Sequence, residues 1–391
     1  MFRKMPIILL AMIALVAIFN QWLPLSFKSL LYGISLSLKS LIVFVLPFLI
    51  FGLLFKTSVQ LAKKASKWIL LILTAICVSN FFSTMISYVI GSFAYQFDLS
   101  MPIPTEETSL VPLGDFFLPK LLGNSQAMFS GLILGVLFGW LKPSLGEKIA
   151  AHFQKYIDLF LKAFLYVIPL FIAGFIVKMM HDGVLSLILR NYAFIFALVA
   201  TAVFTYIALI YFVATGCNRK AFVQSIKNMF PAVIAGFGSM SSAAAMPLTI
   251  LATEKNSKNP DLAGSIIPAT VNIHLIGDCF AIPIFAFAVM KSFGVAEPLF
   301  SSYLIFAVYF VLAKFSVAAV PGGGILVMLP ILEAYLGFSG EMLSLITALY
   351  ILFDPLITSA NVLGNGGFAL ALGNLSEGKL EAENAAVLCQ K

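Results

Sequence analysis

An aspartate set inside an apolar helix constrains this chain more than any other feature of its sequence. Leu349–Phe353 opens the helix, and Asp354, Thr358, Asn361 and Asn365 follow at i, i+4, i+7 and i+11. That spacing puts all four on one helical face, with Ile351, Ile357 and Val362 elsewhere. A carboxylate within a membrane helix is costly unless it faces protein, water or a bound solute. A seam of Asn and Thr that glues helices together is the plainer reading, but such glue rarely uses an ionisable group. The rest of the fold has to bring something to Asp354.

The setting is a membrane. The chain has 391 residues, 61% of them hydrophobic and 10% charged. Apolar runs near twenty residues recur along its whole length, which describes a polytopic helical membrane protein. No stretch is polar enough for a separate aqueous domain. The net charge of +7 does not cluster on a soluble face, so it does not point to a nucleic-acid partner. Cys77, Cys217, Cys279 and Cys389 lack metal or disulfide spacing. Arg3 and Lys4 followed by Pro6–Phe19 look like a signal peptide, yet Asn20-Gln21-Trp22 offers no small-residue cleavage site, so this segment reads as an uncleaved first span.

In chain order the spans are Met5–Leu25, Leu30–Phe55, Trp68–Tyr95, Phe116–Leu141 (with Gly123, Gly131 and Gly135 suggesting a break), a fifth ending near Met180 after a basic amphipathic connector, and Tyr192–Thr215. Lys and Arg gather at the N-terminus, after span two (Lys56, Lys63, Lys64, Lys67), after span four (Lys142, Lys148, Lys155) and after span six (Arg219, Lys220). The loop after span three instead carries Asp98, Glu106, Glu107 and Asp115, and Arg190 is the clearest exception to the alternation. The bias puts the N-terminus in the cytoplasm. Lys39 in span two reads as a snorkelling side chain.

Beyond Lys220 the pattern changes. Ala221–Phe237 and Ala243–Thr253 flank Ser239-Met240-Ser241-Ser242, and each half is too short to cross about 30 Å of hydrocarbon at about 1.5 Å per residue. Basic residues at both ends (Lys227; Lys255, Lys258) make this a hairpin entering and leaving on the cytoplasmic side. Phe300–Ala319, Pro321-Gly322-Gly323-Gly324 and Ile325–Tyr335 form a second such pair, entering from outside. Each is followed by an uninterrupted span, Ile266–Met290 and Leu343–Leu372, which suggests an inverted repeat. Non-helical backbone at membrane depth belongs around a protein-lined cavity, and paired interrupted segments point to a transporter's binding site. The fold class is therefore all-α and polytopic, with eight transmembrane helices and two re-entrant helical hairpins.

From Leu46-Pro47 to Gly373 the sequence resembles the glutamate-transporter fold, the dicarboxylate/amino acid:cation symporters. Ser241-Ser242-Ala243-Ala244-Ala245-Met246-Pro247 looks like the serine-rich tip of that family's first hairpin, and Val320-Pro321-Gly322-Gly323-Gly324 like the tip of its second. Ala269-Thr270-Val271-Asn272 resembles the start of the signature of its seventh span. Asp354, Thr358, Asn361, Val362 and Gly364 resemble its eighth. Departures from the pattern are concentrated at the ligands. The family signature runs Asn-Met-Asp-Gly-Thr where this chain has Asn272-Ile273-His274-Leu275-Ile276, so its sodium-binding Asp is His274 and its Thr is Ile276. A second sodium-binding carboxylate is Asn365, the arginine that grips acidic substrates is Ile357, and a basic residue before the first-hairpin serines is Met240.

The resemblance implies cation-coupled uptake of a small carboxylate-bearing solute by alternating access. An amino acid is favoured over a dicarboxylate, because Asp354 would meet an amino group and the arginine is absent. It also implies a homotrimer, with residues 1–215 mainly scaffold (spans three and six open to either unit), 221–374 the transport core and 375–391 a cytoplasmic tail. Substrate contacts fall on Ser241, Ser242, Gly322, Gly323, Gly324, Asp354, Thr358 and Asn361. Cation coupling falls on Asn272, His274, Asp278, Asn361 and Asn365, of which Asn272, Asn361 and Asn365 offer neutral oxygens to sodium. His274 and Asp278 stand i, i+4 on the seventh span, so they share a face and can pair, either as a proton relay or as packing. Tyr350 and Cys279 read as packing. No cofactor is expected beyond a coupling ion, Na+ or H+, and no partner beyond solute and lipid. The chain reads as a multi-pass protein of a bacterial-type cytoplasmic (inner) membrane. A membrane-embedded enzyme is the competing class, but the sequence has no His-Glu-x-x-His run and no Gly-x-Ser-x-Gly elbow.

Overall fold

The structure is a computed structural model, and the residues it describes are 11–12, 15–16, 18–63, 67–97, 109–114, 116–119, 121–182, 185–317 and 322–389. Most of the expected first span, the acidic residues Asp98, Glu106, Glu107 and Asp115, the Lys39 side chain, and Val320 and Pro321 lie outside them. The chain folds as helices throughout: α1 (Leu25–Lys63), α2 (Lys67–Tyr95), α3 (Asn124–Leu141), α4 (Pro143–His181), α5 (Leu185–Ala214), α6 (Arg219–Ser239), α7 (Ser242–Asn256), α8 (Pro260–Thr270), α9 (Ile276–Ser292), α10 (Phe300–Lys314), α11 (Gly323–Leu336) and α12 (Gly340–Cys389). Among the described residues, Leu70–Tyr95, Tyr192–Ala214 and Gly340–Asn374 are each long and apolar enough to cross a membrane.

The helices group by what they touch. α1 packs chiefly on α3 and α4. Gly131, Gly135 and Gly139 of α3 lie against the α1 backbone at Phe51, Phe55 and Val59, so any side chain there would drive the helices apart. Of the glycines expected to break the span, Gly131 and Gly135 instead seat the helix, as does Gly139, while Gly123 is its N-cap and marks where the helix begins. The fourth span is shorter than expected for another reason. Residues 116–119 run non-helical, and the N–H groups of Phe116 and Leu118 donate to Ser37 Oγ (2.9 Å) and Ser40 Oγ (2.7 Å) of α1. The basic connector after Lys142 is no separate element either; Pro143 begins α4, where a missing N–H costs nothing.

The remaining helices assemble around α9 and α12. α2 and α5 wrap this core: Val78, Phe82, Ile86, Val89 and Phe93 form an exposed apolar stripe along one side of α2, the pattern of a lipid-facing surface. The apolar window of α12 is 78% buried against 28% for that of α2, which puts α12 at the centre. Both hairpins are present, α6–α7 and α10–α11. Asn218 caps α6 by accepting from the N–H groups of Lys220 and Ala221 at 2.9 and 3.1 Å, and Met240 at φ 50° makes the sharp turn at its other end. The seventh span departs from its expected form. It is not one helix from Ile266 to Met290 but α8 and α9, separated by the unwound residues 271–275. The segment expected as a tail continues α12 as helix to Cys389.

Candidate functional site

The unwound segment needs its backbone satisfied at a buried position, and α2 supplies the means. Asn80, wholly buried, donates from Nδ2 to the Ile273 carbonyl (2.7 Å) and accepts the Leu275 N–H (3.3 Å). One amide thereby replaces the helical bonds that the break gives up. His274 follows inside the clasp. Its two ring nitrogens lie 2.9 Å from Ser79 Oγ and 3.0 Å from Asn365 Oδ1, and its ring packs on Phe368. Asp278 is not its partner. His274 precedes the first turn of α9, so the i, i+4 geometry that would have joined them does not exist.

The polar face of α12 forms as the spacing predicts, with Asp354, Thr358, Asn361 and Asn365 buried to 5% exposure or less. Each meets a different element. Asp354 Oδ2 accepts the N–H of Gly322 at the hairpin tip (2.8 Å), and Oδ1 accepts the Thr358 hydroxyl (3.1 Å). Gly322 has φ 71°, which glycine adopts freely and which turns its N–H onto the carboxylate. Asn361 Oδ1 accepts the Gly277 N–H (2.8 Å), and its Nδ2 donates to Asp278 Oδ1 (3.3 Å). Asn365 holds His274.

Asp278 is the second buried carboxylate, and its partners were not legible from spacing. Lys314 Nζ donates to Oδ2 at 3.0 Å and the Tyr350 hydroxyl to Oδ1 at 2.9 Å. Lys314 is wholly buried in the last turn of α10 and lies 4.4 Å from the Phe310 ring centroid. Sequence reasoning overlooked it, and placed Tyr350 among packing residues. A signal was present: Lys314 is the one Lys or Arg between Lys291 and Lys379, and the rule that singled out Asp354 applies to it equally.

Ser241 caps α7, its Oγ accepting the Ala244 N–H (3.2 Å), and Ser242 is buried beside it. The α6 arm of the same hairpin reaches α12: Gly236 lies against Val362 and Thr358, and Ser359 Oγ donates to the Val233 carbonyl (3.4 Å). Asn272 is exposed on the unwound segment, whereas Asn361 and Asn365 are buried. Gly323 and Gly324 are buried at the start of α11.

The second hairpin, a broken helix and an intact polar helix thus converge on two buried carboxylates, with the first hairpin packed on the same polar helix, in a multi-pass helical membrane protein. The chain belongs to the sodium:dicarboxylate symporter family, whose model matches residues 5–375. It is 29% identical over 177 residues to an excitatory amino acid transporter of Onchocerca volvulus, covering 45% of this chain and 35% of that protein. Against excitatory amino acid transporter 2 of Homo sapiens it is 30% identical over 177 residues, 45% of this chain and 30% of the relative. Against excitatory amino acid transporter 1 of Ambystoma tigrinum it is 27% identical over 219 residues, 55% and 39% respectively. The chain spans about a third of the length of the curated relatives it matches.

Proposed function

We propose that the protein is a secondary transporter carrying out cation-coupled symport of a small amino acid by alternating access. One observation carries this: Asp354 is buried beneath a hairpin tip whose Gly322 N–H occupies one of its oxygens. Lifting the tip frees a carboxylate for a substrate ammonium and backbone N–H groups for a substrate carboxylate, a charge-assisted pair of contacts. The arrangement binds and releases, and the family is a transporter family.

The substrate is a neutral amino acid. By the family resemblance Ile357 and Met240 fill the two slots for basic groups, both are buried, and burying a second substrate carboxylate without a partner costs several kcal/mol. The coupling ion is Na+ or H+, with His274 the titratable group nearest the break and Asn365 its oxygen partner. The grouping of α1 with α3 and α4 supports a scaffold distinct from a moving core of both hairpins, α8, α9 and α12, and the family resemblance supports a homotrimer. The N-terminus is cytoplasmic, in a bacterial-type inner membrane.

Uptake by proteoliposomes under separately imposed sodium and proton gradients tests the whole reading, with His274→Ala as the companion variant. Concentrative uptake of neutral amino acids is expected. Competition in which aspartate or glutamate binds at least as well as neutral amino acids overturns the substrate assignment, and absence of gradient-driven uptake overturns symport. Single cysteines at Ser242 and Gly323, in a chain stripped of its native four, are expected to react with impermeant thiol reagents from opposite sides.

A further inference from the structure

We propose that Lys314 is a tethered cation: its ammonium fills, from within the chain, a buried position on the Asp278 carboxylate at the base of the second hairpin that would otherwise take a monovalent inorganic cation. The proposal deepens the symport reading and rests on it for its place in the cycle.

The position is organised around one carboxylate. Asp278 takes the Lys314 ammonium on Oδ2, and on Oδ1 it accepts the Tyr350 hydroxyl and the Asn361 amide N–H, at the junction of α9, the α10–α11 hairpin and α12, all buried. Lys314 enters from the C-terminal end of α10, where the helix dipole favours positive charge. Two residues further on, just past the end of α10, Ser316 Oγ is buried and has no hydrogen-bond partner among the described residues. An ionised carboxylate here without a partner would be costly, so Asp278 has to be accompanied by a cation or neutralised by a proton whenever the hairpin is shut.

Closure and the ion pair are joined sterically. A side chain on Gly324, in the first turn of α11, would run into Asp278 Oδ2 and the Tyr350 hydroxyl, so the hairpin's return arm rests directly on the paired carboxylate. The Gly322 N–H reaches Asp354 from the same tip. The charge count then separates the two carboxylates. Asp278 already has its cation in Lys314, whereas Asp354 is met by neutral donors, Gly322 N–H and Thr358 hydroxyl. The closed hairpin therefore needs one external cation fewer than its two acidic groups imply, and the positive charge left to supply is the substrate's own ammonium.

The test uses the purified full-length chain and two variants, Lys314→Ala and Lys314→Ala/Asp278→Asn. Thermal unfolding is followed in sodium, potassium or choline chloride at equal ionic strength. Lys314→Ala is expected to gain a saturable stabilisation by sodium or potassium over choline, on the order of a few °C beyond any shift in wild type. The double variant, with no charge to compensate, is expected to gain none. In proteoliposomes, uptake by Lys314→Ala is expected to fall at least about 10-fold in choline and to recover with the inorganic cation, a change of about 1.4 kcal/mol or more. Equal cation shifts in wild type and Lys314→Ala overturn the proposal, as does a shift of the same size in the double variant. If Lys314→Ala folds in no medium while the double variant folds in all, no inorganic ion replaces the ammonium and the proposal also fails. The unfolding readout needs no substrate, so failure of the symport reading shows separately, as absent uptake by wild type.

Discussion

The two hairpins look like repeats of one design in sequence, yet they close in different ways. In α6 the buried residues are Ser225, Met229, Ala232 and Gly236, a single stripe, and Phe230, Ile234 and Phe237 are exposed. Its tip is held by its own chemistry, Met240 in a left-handed turn and Ser241 capping α7. In α11 every residue from Gly323 to Leu332 is buried, and the tip is held by other elements: α12 through Asp354, and α9 through the Lys314–Asp278 pair at the hairpin's base. A hairpin that caps itself keeps its tip whatever the buried charges hold. One whose closure depends on buried charges elsewhere can respond to what those charges bind, which is what a gate requires.

The comparison can be broken most sharply at Asp354. Asp354→Asn keeps the shape and the Gly322 contact but removes the charge, and uptake of an amine-bearing substrate is expected to fall roughly 100-fold, the worth of a charged hydrogen bond of about 3 kcal/mol. Uptake of an analogue lacking the amine, measured in the same vesicles, should change far less; equal losses would mean that Asp354 serves the fold. A matched pair of glycine variants comes next. Gly324→Ala pushes a methyl into Asp278 and Tyr350 and is expected to destabilise by about 1–3 kcal/mol with a fall in uptake of about 10-fold or more. Gly238→Ala on the first hairpin meets nothing within 4 Å and should be silent in both thermal unfolding and uptake. Similar effects at the two glycines would remove the distinction between the two hairpins.

Smaller effects sharpen the picture. Ser241→Ala removes a helix cap and is expected to cost about 1 kcal/mol in thermal unfolding while leaving substrate affinity within a few-fold. A large loss of affinity instead would move Ser241 from capping into the binding site. Asn80→Ala withdraws both bonds from the unwound segment, so hydrogen exchange at Ile273–Leu275 is expected to rise more than at α9.

Much of this protein was determined by its sequence alone. Apolar length set the membrane class, since a chain this hydrophobic can satisfy its backbone in lipid only through helices or a closed barrel. The spacing of Asp354, Thr358, Asn361 and Asn365 placed them on one face, because helical period is a local property. Short apolar halves around Ser241 and Gly323 announced both hairpins. What only the tertiary structure decided is which groups meet across elements. The break at residues 271–275 carries no Gly or Pro, and it persists because Asn80 of a distant helix takes over its backbone bonds. That break also separates His274 from Asp278 and sends them to Asn365 and Lys314, partners 91 and 36 residues away. Periodicity reports the neighbours a residue has along its own helix. A buried charge is satisfied by whatever the packing of other helices brings within about 3 Å, and no local pattern records that.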